Sequence, residues 1–163
     1  MPFPLSIRGS ISIPGAAANV SDEAIIIACV DQIEHEGARV VSRSDRSVSF
    51  AAPFFSLGRN WRFTAPVSAG SLEIARASGP GRCLTYDFSM RRNTLIGTAM
   101  IVGMVAYVAT SASGEFPWWV APIGWLWVVG GNYLITYTRA ESWARRRVSD
   151  AVKASAAVPS VHA

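Results

Sequence analysis

The chain has 163 residues, of which half are hydrophobic, and its formal net charge is +4. This length is typical of one ordinary domain. The positive charge does not indicate nucleic-acid binding, because no motif in the sequence combines clustered cations with base-stacking aromatic residues. Two cysteines and two histidines are too few and too scattered to predict a metal site.

The sequence pattern of residues 1–92 predicts an α+β domain, which we expect on the cytoplasmic side. Residues 3–13 alternate apolar and polar side chains, as a half-buried strand does. A helix with acidic residues in its first turn follows from Asp22 to about Glu36, and Gly37 ends it. Two pairs of short β-branched runs then read as two hairpins, ARVVSRS with RSVSFAA and SLEIARA with RCLTYDFSM. The expected fold is β-α-β-β-β-β, an antiparallel sheet of about five strands with one packed helix.

One helix covers little of a five-stranded sheet, so part of the core must come from another segment. The stretch at 53–66 is too aromatic for an ordinary solvated loop. It has two interpretations, a flap that closes the sheet edge or an interfacial surface that meets lipid phosphate or a partner. Its candidate contact residues are Phe54, Phe55, Arg59, Trp61, Arg62 and Phe63.

Two later intervals, Thr94–Ala112 and Trp118–Thr138, contain no Lys, Arg, Asp, Glu or His. Their lengths are 19 and 21 residues, and about 20 apolar residues are needed to cross a bilayer. The sequence therefore predicts a two-pass transmembrane hairpin at 93–138, with the short loop 113–117 between antiparallel helices.

The distribution of cations predicts the orientation of this hairpin. Arginines precede the first span and follow the second, whereas the loop has none. The positive-inside rule then places both termini in the cytoplasm and the loop outside, in a plasma membrane of the bacterial inner-membrane type.

Small and aromatic residues predict contacts within and around the hairpin. Trp118 and Trp119 are expected at the outer boundary, and Trp125 and Trp127 point in nearly opposite directions on a helix. One of this second pair is expected to face the first helix and the other to face lipid, a cofactor or another protein. The predicted seam between helices consists of small residues and one carboxamide: Ala99, Gly103, Ala106, Gly124, Gly130, Gly131 and Asn132.

Residues 139–163 predict a basic amphipathic helix and tail that continue the second span. An apolar stripe includes Trp143, Ala144 and Val148, so this overhang either packs against the sheet or lies on the membrane. Arg145, Arg146 and Arg147 are expected to fix the helix end among anionic lipid headgroups.

No constellation of side chains in the sequence predicts catalysis, and no catalytic, cofactor-binding or metal-binding residue is assigned. No cofactor is expected, and the spans leave open bound lipid or a pigment held without histidine ligation. The leading hypothesis is a non-catalytic accessory or scaffold subunit of a larger integral membrane complex, photosynthetic or respiratory by analogy. The alternatives are a membrane-anchored sensor that binds a ligand or protein through the α+β domain, and a lipid-acting enzyme at the membrane surface.

Overall fold

The computed structural model describes residues 5–15, 19–53, 67–76, 81–111, 117 and 119–157. The described strands are β1 (Ser6–Ser12), β2 (Arg39–Arg43), β3 (Ser47–Ala51), β4 (Ala69–Arg76) and β5 (Arg82–Ser89). The described helices are α1 (Asp22–His35), α2 (Arg91–Ser111), α3 (Val120–Trp125) and α4 (Gly131–Ala157), with a π-helical segment (Leu126–Gly130) between the last two.

The five strands form one antiparallel sheet in the order β1-β5-β4-β3-β2. The β-α-β-β-β-β order and the five-stranded sheet predicted from the sequence are confirmed. Alternation along β1, β3, β4 and β5 separates an inner face, which holds Ile7, Leu72 and Phe88, from an outer face rich in serine. Side chains two residues apart share a face of a strand, so this pattern favours the register of these four strands, whereas the β2–β3 register shifts between Val40 and Ser42.

Helix α1 begins and ends where its sequence predicts. The Ser21 hydroxyl accepts a hydrogen bond from the Ala24 amide at 3.1 Å, and Asp22 and Glu23 lie in the positive first turn. Asp22 also pairs with Arg82 at 2.6 Å and with Arg46 at 3.1 Å, which ties the helix start to β5 and to the turn between β2 and β3. Gly37 follows the helix at φ 83°, a left-handed conformation that glycine adopts without strain.

Two glycines make room for the aromatic part of the core. Gly70 pairs with Phe50 on one side and Phe88 on the other, and a Cβ there would lie 2.6 Å and 2.7 Å from their rings. Gly9 lies opposite Tyr86, whose ring occupies the space of a Cβ. The Tyr86 and Phe88 rings stack with centroids 5.2 Å apart. Small residues on one strand thus allow large ones on its neighbours to pack flat on the sheet.

Helix α4 is the second element that covers the inner face of the sheet. Its buried stripe is Ala140, Trp143, Ala144, Val148 and Ala151, and it joins the same core cluster as α1. The Trp143 ring meets Phe88 edge-on, with centroids 6.1 Å apart. Of the two positions predicted for this overhang, the structure shows the one against the sheet, and it supplies the core that α1 alone lacks.

Polar contacts fasten α4 to α1. Trp143 Nε1 donates to Glu36 Oε1 at 3.0 Å, and Gln32 Nε2 donates to the same oxygen at 2.9 Å. Glu36 is only 8% exposed, so these donors offset the cost of burying its carboxylate. Arg147 Nη1 donates to Gln32 Oε1 at 2.8 Å, one turn further along α4.

The predicted transmembrane hairpin is wrong. Among the residues that the structure describes, no helix has the length and apolar content needed to cross a membrane. The second predicted span, 118–138, is divided among α3, the π-helical segment and α4, and most of α4 lies in the charged sequence beyond Thr138. Helix α2 has two arginines in its first turn and several glycine, threonine and serine residues along its length.

The location derived from that hairpin is corrected with it. Integration into an inner membrane by two crossings, with both termini cytoplasmic and the loop 113–117 outside, is not supported because it depended on the two spans. An interval without ionisable side chains satisfies one requirement for crossing lipid, but the helix must also be long and apolar over its whole length.

Replacement of Trp143 tests the role of α4 in the core. We expect Trp143→Ala to lower the free energy of unfolding by about 3–5 kcal/mol, because it leaves a cavity beneath α4. Trp143→Phe should cost about 1–3 kcal/mol, because the buried Glu36 carboxylate loses a donor. Urea denaturation followed by circular dichroism measures both. Trp127→Ala is the matched control, since Trp127 is 82% exposed, and should change stability by less than about 0.5 kcal/mol. Equal losses at positions 143 and 127 would contradict the packing.

The two free cysteines should differ in reactivity. Burial raises the pKa of the Cys29 thiol to about 12, whereas Cys83 is partly exposed. Alkylation requires the thiolate, so we expect Cys83 to be modified by iodoacetamide at pH 8 while Cys29 stays unmodified until the protein unfolds. Mass spectrometry of timed digests measures both rates. Similar rates in the native protein would show that α1 does not bury Cys29.

Candidate docking surface

Four helical pieces project from the α+β domain: α2, α3, the π-helical segment and residues 131–138 of α4. We call them the helical arm. The arm joins the domain at both ends, because α2 follows β5 directly and α4 continues from the arm into the core. At the first junction the Ser68 hydroxyl accepts from the Arg92 amide at 3.1 Å. The Arg92 guanidinium donates to the carbonyls of Ala52 at 3.1 Å and Pro53 at 2.8 Å.

Within the arm, a close approach at Gly97 brings α2 against the π-helical segment. A Cβ at Gly97 would lie 3.4 Å from a Val129 methyl group, and Gly97 and Val129 are both buried. Further along, Gly124 of α3 faces Ile101. Trp125 Nε1 donates to the Thr98 hydroxyl at 2.9 Å. The contact therefore combines small residues, which allow the helices to approach, with one polar bond across them.

The outward side of the arm holds most of the exposed large apolar residues among those that the structure describes. Thirteen of sixteen such residues lie between positions 95 and 137, and only Leu5, Ile27 and Val41 lie on the domain. Trp127 is the most exposed of them at 82%. The thirteen are Leu95, Met100, Val102, Met104, Tyr107, Trp119, Ile123, Leu126, Trp127, Val128, Leu134, Ile135 and Tyr137. A contiguous exposed apolar surface rich in aromatic residues and methionine is typical of an interaction site.

Among the described residues, charged side chains are absent from the middle of the arm and present where the arm meets the domain. Described residues from Asn93 to Thr138 include no Lys, Arg, Asp, Glu or His. The exposed cations Arg91, Arg139, Arg145 and Arg146 lie just beyond this interval. Among the described residues, Arg145 alone of the four forms an ion pair, with Glu141 at 2.7 Å. An uncharged centre with a cationic border on one side defines what we call the docking surface.

The structure places the predicted aromatic contact residues in different environments. Trp125 donates to Thr98 of α2, whereas Trp127 lies in the π-helical segment and is 82% exposed. Trp119 is exposed, whereas Trp143 is buried in the core. The predicted contacts Phe54, Phe55, Arg59, Trp61, Arg62, Phe63 and Trp118 lie outside the described residues.

The three consecutive arginines after the arm also lie in different environments. Arg145 and Arg146 are exposed, whereas Arg147 lies against Gln32 and pairs with Asp150 at 3.2 Å. This follows from helical geometry, since 100° separates successive side chains and only one of three consecutive residues faces α1.

The small residues of the predicted seam lie on both sides of the arm. Gly124 faces α2 across the contact, but Ala99, Gly103 and Ala106 are on the exposed side of α2 and Asn132 is exposed on α4. Gly130 lies against Leu126 of its own segment, and Gly131 has open space beside it. Gly97 was missed because the residues three and four positions further along α2, Met100 and Ile101, are large and do not continue a stripe of small residues. The indole of Trp125, which needs an acceptor on α2, was the available signal.

In the part of the chain that the structure describes, the titratable groups do not form a metal site. No group of three His, Cys, Asp or Glu side chains there is close enough to hold a metal ion. Comparisons of the chain with models of protein families, with curated proteins and with solved structures found no match.

The bond between Trp125 and Thr98 yields a test of the arm's packing. Thr98→Val keeps the side-chain shape but removes the acceptor, so we expect the free energy of unfolding to fall by about 1 kcal/mol. Thr110→Val is the matched control, because its hydroxyl donates only to carbonyls of its own helix, Ala106 and Tyr107. Tryptophan fluorescence during urea unfolding reads both variants. A control that loses as much as Thr98→Val would contradict a stabilising contact between α2 and α3.

Proposed function

We propose that the protein is a non-catalytic accessory or scaffold subunit, and that the docking surface binds an apolar surface of a partner protein. The observation that carries this proposal is the concentration of thirteen exposed large apolar residues on an arm whose described residues from Asn93 to Thr138 include no Lys, Arg, Asp, Glu or His. Leaving so much apolar surface in water is unfavourable, and burying it against a partner removes that cost.

The cationic border favours a partner whose surface is acidic at its edge. Arg91, Arg139 and Arg146 are exposed beside the apolar centre and have no ion-pair partner among the described residues. A partner whose apolar surface is edged by aspartate or glutamate would meet them with complementary charge, which favours encounter and fixes orientation. The interface then has the usual arrangement of an apolar core and a polar rim.

The continuity of α4 supports a scaffold role. One helix carries part of the docking surface in its first turns and fills the domain core with Trp143 and Val148 further along. A partner that holds the arm therefore also holds the α+β domain at a defined position. That this partner belongs to an integral membrane complex, photosynthetic or respiratory, stays a prediction, as does contact with anionic lipid headgroups.

Co-purification with single replacements tests the proposal. The full chain is expressed with a tag in its native host, extracted in mild detergent and studied by native mass spectrometry. We expect the wild type to carry one partner at fixed stoichiometry, and Trp127→Glu to lose it because a carboxylate would be buried in the interface. Val41→Glu is the matched control, since Val41 is 60% exposed but lies on β2, and it should keep the partner.

Any of three results would overturn this function. They are that the wild-type chain purifies without a partner, that the Trp127→Glu variant keeps the partner, or that the Val41→Glu variant loses the partner to the same extent as Trp127→Glu. A Trp127→Glu variant that instead lost binding to vesicles, with no protein partner, would assign the docking surface to lipid. Both glutamate variants should melt within a few degrees of the wild type, because neither side chain is buried.

A further inference from the structure

The outer face of the sheet, opposite α1 and α4, contains a groove that borders the docking surface at Arg91. Its cavity volume is about 430 Å³, which lies in the range of small-molecule sites. Four serine hydroxyls line it, one from each of four strands: Ser6, Ser49, Ser71 and Ser89. We call it the serine groove.

The strand register explains why this part of the sheet is hollow. One row across the sheet is Ser6, Ser89, Ala69 and Ala51, and the next row includes Asp87, Ser71 and Ser49. All but one of these side chains are no larger than serine, so they form a low floor. The large residues of the same strands, Phe50 and Phe88, point to the inner face. Alternation therefore leaves the outer face with hydroxyl groups and little bulk.

Positive charge borders the serine groove. Arg8 and Arg91 line it, and the register puts Arg39 on the same face beside Ala51. Asp87 is the one acidic lining residue, and it pairs with Arg8 Nε at 2.7 Å, which leaves the terminal nitrogens of Arg8 free of that bond. Arg91 is exposed, and its side chain has no ion-pair partner among the described residues.

We propose that the serine groove binds a small organic anion in which a phosphate or carboxylate lies next to hydroxyl groups. The anionic group would accept charge-assisted hydrogen bonds from Arg91 and Arg8, the strongest class of hydrogen bond available there. The hydroxyls of the ligand would exchange bonds with the serine hydroxyls, each of which both donates and accepts. The serine groove lies on the sheet, so this inference does not depend on the proposed docking function.

Two other classes of ligand fit the lining less well. An apolar molecule would leave the hydroxyls of Ser6, Ser71 and Ser89 without partners, at a cost for each group that loses water. A metal cation would meet two arginines and a single carboxylate that is already paired. The lining therefore matches an anion with several hydrogen-bonding groups better than either.

Titration of the full chain with defined probes tests the proposal. Isothermal calorimetry in a phosphate-free buffer uses inorganic phosphate, glycerol 3-phosphate and malate in turn. We expect glycerol 3-phosphate or malate to bind at one site, and to bind more tightly than inorganic phosphate because of their hydroxyl groups. A parallel titration with phosphatidylglycerol vesicles distinguishes a lipid headgroup from a free anion as the source of the same chemistry.

Two variants test separately how the charge and the shape of the serine groove contribute to binding. Arg91→Gln should weaken binding on the order of tenfold or more, since a hydrogen bond to a charged group is lost. It should not destabilise the fold, because it removes a cation from the start of α2, where the helix dipole disfavours it. Ser71→Leu keeps every charge but fills the floor, and should abolish binding.

Arg146→Gln is the matched control, because Arg146 is an exposed arginine on α4 and not part of the serine groove. Its affinity should equal that of the wild type. The proposal is overturned if no probe or vesicle binds, if Arg91→Gln and Ser71→Leu bind as well as the wild type, or if Arg146→Gln weakens binding equally.

Discussion

The contact of Trp143 with Phe88 and Glu36 is the interaction on which the rest of this structure depends. A five-stranded sheet presents an apolar face that α1 cannot cover alone, and α4 covers the remainder. The indole serves both requirements of a buried position, because its ring packs edge-on against Phe88 while its N–H satisfies a buried carboxylate. The same helix emerges from the domain as part of the helical arm. Packing α4 onto the sheet therefore both completes the core and positions the helical arm.

This connection between the arm and the core holds the apolar surface of the arm in a fixed position. An exposed hydrophobic segment on a mobile tail would be a liability for aggregation, whereas here it is held at both ends. Arg92 holds the start of α2 against Ala52 and Pro53, and Trp143 holds α4 against the sheet. A surface held in this way loses little conformational freedom on binding, so more of its apolar burial contributes to affinity.

The two faces of the sheet have opposite characters for the same geometric reason. Alternation sends Phe50, Leu72 and Phe88 inward and serine or alanine outward, so one face packs helices and the other stays open and polar. The arginines beside the open face lie on three different elements, β1, β2 and the start of α2. The serine groove and the docking surface thus meet at Arg91, and their other named residues lie on separate parts of the chain.

Local pattern was enough to predict the sheet and α1. Period-two alternation in residues 3–13, the acidic first turn at Asp22 and Glu23, and the turn glycine at Gly37 are each encoded within a few neighbouring residues. The amphipathic stripe of Trp143 and Val148 also indicated a buried face, although it left open what that face covers.

Tertiary structure decided everything that depends on residues far apart in the chain. The absence of charge from 94–112 and 118–138 suggested two membrane spans, but absence of charge describes composition and not helix length, and the second interval is divided between α3, the π-helical segment and α4. Gly97 became the point of closest approach because Val129 lies opposite it. The serine groove required the register of four strands. Short-range sequence determines how each segment folds, because backbone preference and amphipathicity are local, whereas a surface or a cavity exists only once distant segments have been brought together.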